Sequence, residues 1–368
     1  MRATAKQVAE KAGVSLATVS RVINRSGYVE AGLRARIETV MAEVGYVPNR
    51  TAKNLVTGST RTVGLVITSL QSPYFIRLTE GIQDVLEEKG YHLLLCNTKF
   101  NTKIELDNLQ LLREGMLDGV ITSTGSQTHE TMLELVRRNY PMVFINRLFD
   151  ELKDEPNRAG YVLGDLVYAG QNVTRYLVQQ GHRNIAALYG AANSTANRLR
   201  LVGMRQAMVE QGLELRPELL RCVPHPPDLS SGHGDKEGAW AYSETLELIQ
   251  THPEVTAILV FYHPMLSGVM QALREVGRPV PDSVSLIGFD DFPLAPYLDP
   301  PLTVMAQPVF EIGRAAARLL VQKIEDPALR VTEPIVLKPE FIIRQSCAPV
   351  AIKYPMPGVH SYNVGQNS

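Results

Sequence analysis

The chain predicts an N-terminal all-α helix-turn-helix headpiece followed by an α/β core of two parallel-sheet lobes, and three observations carry this fold class. Two short amphipathic helices follow one another within the first 24 residues. Strands and helices then alternate in two series from Arg61 onward. Positive charge is also segregated: residues 1–61 hold ten Lys or Arg against four acids, a net of +6, in a 368-residue chain whose net charge is −1. A basic end on an otherwise acidic chain favours phosphate contact there and repels nucleic acid from the remainder.

In chain order, Thr4 and Gln7 have the spacing of a capping box and open a helix whose Val8, Ala9 and Ala12 face inward until Gly13 stops it. Ser15 can cap the next helix within Val14 to Asn24, whose Val19, Val22 and Ile23 share an apolar face and leave Ser20, Arg21 and Asn24 outward. A turn this short, with small Ala9 and Ala12 where the helices cross, is the arrangement whose second helix lies in the major groove. A helical pair that merely caps a domain is the alternative, and the charge segregation weighs against it. Leu33 to Val44 supplies a third amphipathic segment ending at Gly45. The stretch from Asn49 through RTAKNLV to Gly58 is a helix too short to stand alone, which orders against DNA or a partner chain, or else is a plain linker.

From Arg61 the reading is strand Val63–Ile67, helix Ser72–Glu88, strand Tyr91–Cys96, helix Ile104–Arg113, and strands Gly119–Thr122 and Met142–Ile145. A second series begins near Val162 and runs through helix Val167–Gln180, strand Ile185–Tyr189, helices Arg198–Glu210 and Gly238–Gln250, strand Ala257–Val260, helix Met265–Val276 and strand Val284–Gly288. Strands separated by helices of this length form a parallel sheet covered on both faces. Such sheets bind ligands beyond the carboxyl ends of their strands, so two facing lobes would enclose a ligand between them. The expected domains are headpiece 1–48, hinge 49–58, core 59–350 and a flexible tail 351–368.

With 45% hydrophobic residues the chain can bury a sizeable core, yet no apolar run is long enough to cross a bilayer and the N-terminus lacks the pattern of a signal peptide. A cytoplasmic protein is expected. Cys96, Cys222 and Cys347 form no metal or redox cluster, so neither a metal nor another cofactor is expected. GxGxxG, a Walker loop, GxSxG and a metal-ligand cluster are absent, which disfavours an enzyme. A solute-binding transport protein would need an export signal in place of a basic helical domain.

The run GVSLATVSRVIN, GYVPN at Gly45–Asn49, AKNL before TG, SPYF at Ser72–Phe75, GHRNIA at Gly181–Ala186, RLRLVG at Arg198–Gly203 and VSLIGFDD at Val284–Asp291 together resemble the lactose repressor and galactose repressor family of bacterial transcription regulators. The resemblance extends from residue 4 to about 345 and implies a headpiece, a hinge helix and a core like that of periplasmic sugar-binding proteins. It implies a homodimeric repressor of pseudo-palindromic operator DNA, controlled by a small molecule, with no membrane association.

The same resemblance assigns residues. Leu16, Ala17 and Arg21 fall where family members read base edges, Arg21 as a donor to guanine and the other two as apolar contacts. Thr4, Ser15, Thr18, Ser20 and Asn24 would meet phosphates, or simply cap and pack. Leu55 matches the hinge leucine that wedges into the minor groove, with Ala52, Lys53 and Asn54 beside it. In the core, Tyr74 and Phe75 can stack on a ligand face, Asp165 and Asp290 can accept hydrogen bonds and Arg200 can donate one, although each has an ordinary core or capping alternative. The chain departs from its relatives at Tyr262 and His263, which stand where an Asn-Asp pair is common, and at Leu166 and Ala169 after Asp165. Tyr262 can add a stacking face and His263 a pH-sensitive donor. A carbohydrate-like effector is the leading expectation; a nucleobase or nucleoside co-repressor is the alternative.

Overall fold

The computed structural model describes residues 3–24, 26–47, 58–124, 128–152, 159–191, 194–223 and 234–350. The expected hinge, apart from Gly58, and the tail at 351–368 lie outside them. The chain divides into two compact units, Met1–Thr60 and Arg61–Ser368.

In the first unit, helices α1 (Ala5–Ala12), α2 (Leu16–Asn24) and α3 (Ala31–Glu43) close around Val8, Ala9, Ala12, Val19, Val22, Ile37 and Val40. The capping box is formed: the Thr4 amide donates to Gln7 Oε1 at 2.9 Å and the Gln7 amide to Thr4 Oγ1 at 3.3 Å. Two first-turn donors that would otherwise lack partners are thereby satisfied. Gly13 ends α1 at φ 67°, a left-handed conformation that glycine adopts without the Cβ penalty. Ser15 Oγ then accepts from the Thr18 amide at 3.1 Å and starts α2. An exposed Lys11–Glu43 pair at 2.8 Å joins α1 to α3.

The second unit contains two six-stranded sheets. The first lobe alternates β1 (Thr62–Ile67), α4 (Pro73–Glu88), β2 (His92–Asn97), α5 (Thr102–Arg113), β3 (Gly119–Thr122), α6 (His129–Arg137), β4 (Met142–Ile145) and β5 (Gly160–Gly164). The second lobe follows with α7 (Leu166–Gln179), β6 (Ile185–Tyr189), α8 (Thr195–Glu210), β7 (Leu220–Cys222), α9 (Gly234–Thr251), β8 (Ala257–Val260), α10 (Leu266–Glu275), β9 (Ser285–Phe289) and β10 (Thr303–Ala306). Helix α11 (Val309–Glu325) and β11 (Ile335–Leu337) return to the first lobe, and β12 (Glu340–Ile342) to the second. Strand order is β11-β5-β4-β3-β1-β2 in one sheet and β12-β10-β9-β8-β6-β7 in the other. All pairings are parallel except that of β10 with β12.

Two features differ from expectation. The strand expected near Val162 to open the second series is β5, and it closes the first sheet instead, paired with β4 (Val143 opposite Gly160) and β11 (Ile335 opposite Val162). A short buried apolar run has no signal for which sheet receives it. The expected first segment of α10 is also divided: His263–Met265 forms a separate 3₁₀ turn before the helix starts at Leu266.

The central strands are buried on both faces, as in Val120, Ile121, Val143 and Phe144 of the first sheet and Ile258, Leu259, Leu286 and Ile287 of the second. The helices press closely on one another. A Cβ at Gly170 of α7 would lie 2.1 Å from the Arg200 carbonyl oxygen, and one at Gly203 of α8 2.0 Å from that of Val167. This glycine pair sets α8 tightly against α7 and so fixes the backbone from which Arg200 projects.

Candidate functional site

On the first unit, the surface of α2 presents Leu16, Ala17, Ser20, Arg21 and Asn24 to solvent, with Leu16 53% exposed despite its apolar side chain. Thr18 is half-buried and shares a 2.9 Å hydroxyl contact with Ser15, while Asn24 Nδ2 donates to Ser20 Oγ at 3.2 Å. Thr4 is committed to the α1 cap. Ala52, Lys53 and Leu55, together with Asn54, lie outside the described residues. α2 can therefore offer one guanidinium, two small apolar contacts and a rim of short polar groups.

In the second unit, the carboxyl ends of β4 and β9 each release a non-glycine residue in a left-handed conformation, Asn146 at φ 51° and Asp290 at φ 65°. Such positions cost on the order of 1–3 kcal/mol each and are held only where the surroundings over-determine them. Here the surroundings are a chain of hydrogen bonds between the lobes. Arg200 is buried; its Nη1 donates to the Phe261 carbonyl at 2.7 Å, its Nη2 lies 3.7 Å from Asp290 Oδ2, and its guanidinium rests 4.5 Å from the Phe289 ring centroid. Gln307, in the crossover after β10, donates from Nε2 to Asp290 Oδ1 at 2.7 Å. Asn146 Nδ2 donates to Gln307 Oε1 at 2.8 Å and to the Tyr74 hydroxyl at 3.0 Å, and Asn146 Oδ1 accepts from the Gly164 amide at 2.9 Å.

The electrostatics follow from that enclosure. Burial pulls the Arg200 pKa down while Asp290 and Tyr74 push it back up. Burial, then Asp290, raises the Tyr74 hydroxyl well above its ordinary value, against Arg200 and Asn146. Arg200 Nε is buried with no hydrogen-bond partner. A buried donor without a partner is costly, and it is a place where a bound acceptor gains most.

The structure joins Tyr74, Arg200 and Asp290 in one network. Phe75 packs edge-on against Tyr74 at 5.3 Å between centroids and abuts the first-lobe core. His263 stacks between Tyr262 and Phe292, at 5.9 and 5.7 Å, and its pKa is lowered by burial and partly restored by Asp290. Asp165 caps α7 instead: its Oδ1 accepts from the Tyr168 amide at 3.0 Å, and no contact joins it to Arg200 or Asp290. Leu166 and Ala169 are buried core residues.

Sequence reasoning missed Asn146 and Gln307. Asn146 had a signal, since it directly follows the apolar run Met142–Ile145, where ligand groups collect in parallel sheets. Gln307 had none, because the return to the first lobe was not visible. A neighbouring cluster also joins the lobes through the Leu148 amide, which donates to Thr195 Oγ1 at 3.2 Å. Beside it, buried Glu105 accepts from Thr124 at 2.8 Å and Thr128 at 2.5 Å, and Arg147 lies over the Phe149 ring at 4.7 Å. Among the described residues no group of His, Cys, Asp and Glu can hold a metal, and no helix is long and apolar enough to cross a membrane.

Comparisons with known proteins agree with this geometry. The family described as bacterial regulatory proteins, lacI family, matches residues 4–49, and the periplasmic binding protein-like domain matches 174–347. The HTH-type transcriptional repressor PurR of Photobacterium profundum is 31% identical, covering 94% of this chain and 98% of its own length. The ribose operon repressor of Escherichia coli is 33% identical, covering 89% and 95%. Among solved structures, the lac repressor dimer bound to operator and an anti-inducer superposes with a TM-score of 0.79 at 24% identity, covering 95% of this chain and 100% of that one. A complex of the regulator CelR with cellobiose gives 0.68 at 29% identity, covering 94% and 100%.

Proposed function

Because the chain belongs to the lacI family of bacterial regulatory proteins, DNA-binding transcriptional repressors and not enzymes, we propose that it is a homodimer on a pseudo-palindromic operator, released or tightened by a carbohydrate-like effector between its lobes. Members of the family bind operator DNA and small-molecule effectors. In this reading residues 1–48 contact DNA, 49–58 form the hinge, 59–350 sense the effector and 351–368 play no part in assembly. Acting on chromosomal DNA, the protein works in the cytoplasm.

On DNA, Arg21 reads a guanine, Leu16 and Ala17 pack on thymine methyls, and Thr4, Ser15, Thr18, Ser20 and Asn24 meet the backbone. Leu55 wedges into the minor groove between flanking contacts from Ala52 and Lys53. In the core, Arg200, Asp290 and Tyr74 contact the effector, Phe75, Tyr262 and His263 line its faces, and Asp165 acts only through the end of α7.

The observation that carries the effector reading is the Arg200–Asp290 pair at the carboxyl end of the second sheet, ringed by aromatic groups. A guanidinium and a carboxylate side by side supply the donor and acceptor that a hydroxyl needs, and an aromatic face covers a sugar's apolar side. The cellobiose complex of CelR supports the same class. The effector acts by its differential affinity for two lobe arrangements, and whether it induces or co-represses is decided by which arrangement it prefers.

Fluorescence polarisation of an operator fragment from upstream of the protein's own gene tests the reading. Neutral sugars or glycosides are expected to change the apparent Kd, and purines to leave it unchanged. A response to purine bases with none to sugars would establish the nucleobase alternative.

A further inference from the structure

At the start of α9 the Glu237 side chain is buried, with 8% of its surface exposed, and its Oε2 has no hydrogen-bond partner. An unpartnered buried carboxylate oxygen opposes folding and needs another reason to be present. Its setting supplies one. Gly238 holds the start of α9 against the turn that follows β8, where an added Cβ would sit 3.1 Å from Ser267 Oγ and 3.6 Å from the Pro264 carbonyl oxygen. Glu237 thus stands beside Tyr262, whose hydroxyl pKa its charge helps to raise. Tyr262 meets His263, and His263 feels Asp290, so the carboxylate belongs to the same end of the second lobe as the Arg200–Asp290 pair.

We propose that Glu237 selects a neutral, hydroxyl-bearing effector: Oε2 accepts hydrogen bonds from ligand hydroxyls, and the carboxylate turns away ligands carrying phosphate or carboxylate. This rests on reading the space between the lobes as the effector site. The charges agree with it. Arg200 is already balanced by Asp290, so an anionic ligand group would meet Glu237 uncompensated. A hydroxyl donor, by contrast, satisfies the one polar atom of Glu237 that folding leaves without a partner.

Isothermal titration of the full-length protein with ribose, glucose, cellobiose and the phosphate esters of ribose and glucose tests the proposal, alongside Glu237→Gln and Asp290→Asn. Wild type should bind at least one neutral sugar and not its phosphate ester. Glu237→Gln should weaken that sugar by about tenfold or more, while its thermal midpoint stays equal to wild type or rises, and Asp290→Asn should abolish binding. A series of singly deoxygenated sugars should include one that the variant and wild type bind equally. Unchanged affinity in Glu237→Gln with binding lost in Asp290→Asn would overturn the role of Glu237 and leave the effector site standing. Preference for the phosphate ester would overturn the charge selection. Absence of binding by every neutral sugar would overturn this assignment together with the carbohydrate reading.

Discussion

Asn146 and Gln307, which are 161 positions apart in the chain, share a 2.8 Å hydrogen bond that ties the end of the first sheet to the crossover leaving the second. Through Gln307 the first lobe reaches Asp290, and through Asp290 the Arg200 guanidinium. Gln307→Leu should uncouple the lobes: operator binding persists while the response to effector is reduced or lost. Removing the amide also strands the buried Asn146 donor, so thermal or urea unfolding should show a loss of about 1–3 kcal/mol. Full effector response in this variant would refute the coupling role.

Gly164 gives an independent route to the same link. A Cβ there would lie 2.5 Å from Gln307 Oε1, so Gly164→Ala should displace the amide and reproduce the Gln307→Leu defect in effector response. If Gly164→Ala responds like wild type, the Gln307 position is not needed.

For DNA the prediction separates reading from holding. Arg21→Ala should cost about 1–3 kcal/mol on the operator and relax preference at one base pair, whereas Lys53→Ala should weaken all sequences alike and lower the salt slope by about one. Leu55→Ala should weaken specific binding far more than nonspecific binding. Polarisation titrations on operator and scrambled duplexes at several salt concentrations check all three.

The pH dependence follows from two histidines. Burial holds His182 and His263 below their ordinary 6.5, with the Ala348 carbonyl and Asp290 respectively pulling them partly back. Between their folded values and 6.5 the unfolded chain binds more protons, so their contribution to stability is present above that pH and is lost as pH falls through it. The urea midpoint should drop on going from about pH 7.5 to about pH 5.5. His263→Gln should drop less over the same interval, and an equal drop would remove His263 from the account.

The helices of the headpiece were legible because their signals are local: a capping box at Thr4 and Gln7, a left-handed Gly13, and a serine cap at Ser15 each act within four residues. The alternation of buried strands and helices was legible for the same reason. What escaped depends on partners distant in sequence. β5 reads the same whether it joins β4 or β6, and Gln307 matters only because the chain turns back after β10 to set α11 beside α4. Of the candidate ligand groups, Tyr74, Arg200 and Asp290 could be picked out by motif. The resolution of Asp165 into a helix cap required knowing where Tyr168 lies.

The return of α11 and β11 has a consequence for biosynthesis. The first sheet gains its β11 edge, and its core gains Ile312, Ala316, Leu319 and Leu320 of α11, only after residue 337 has been made. Until then the emerging chain carries an uncovered apolar face over Leu78, Ile82 and Val85, so folding of the first lobe must wait for translation of the second. A stop codon anywhere before α11 would therefore leave not a smaller sensor but a DNA-binding headpiece joined to an aggregation-prone remnant.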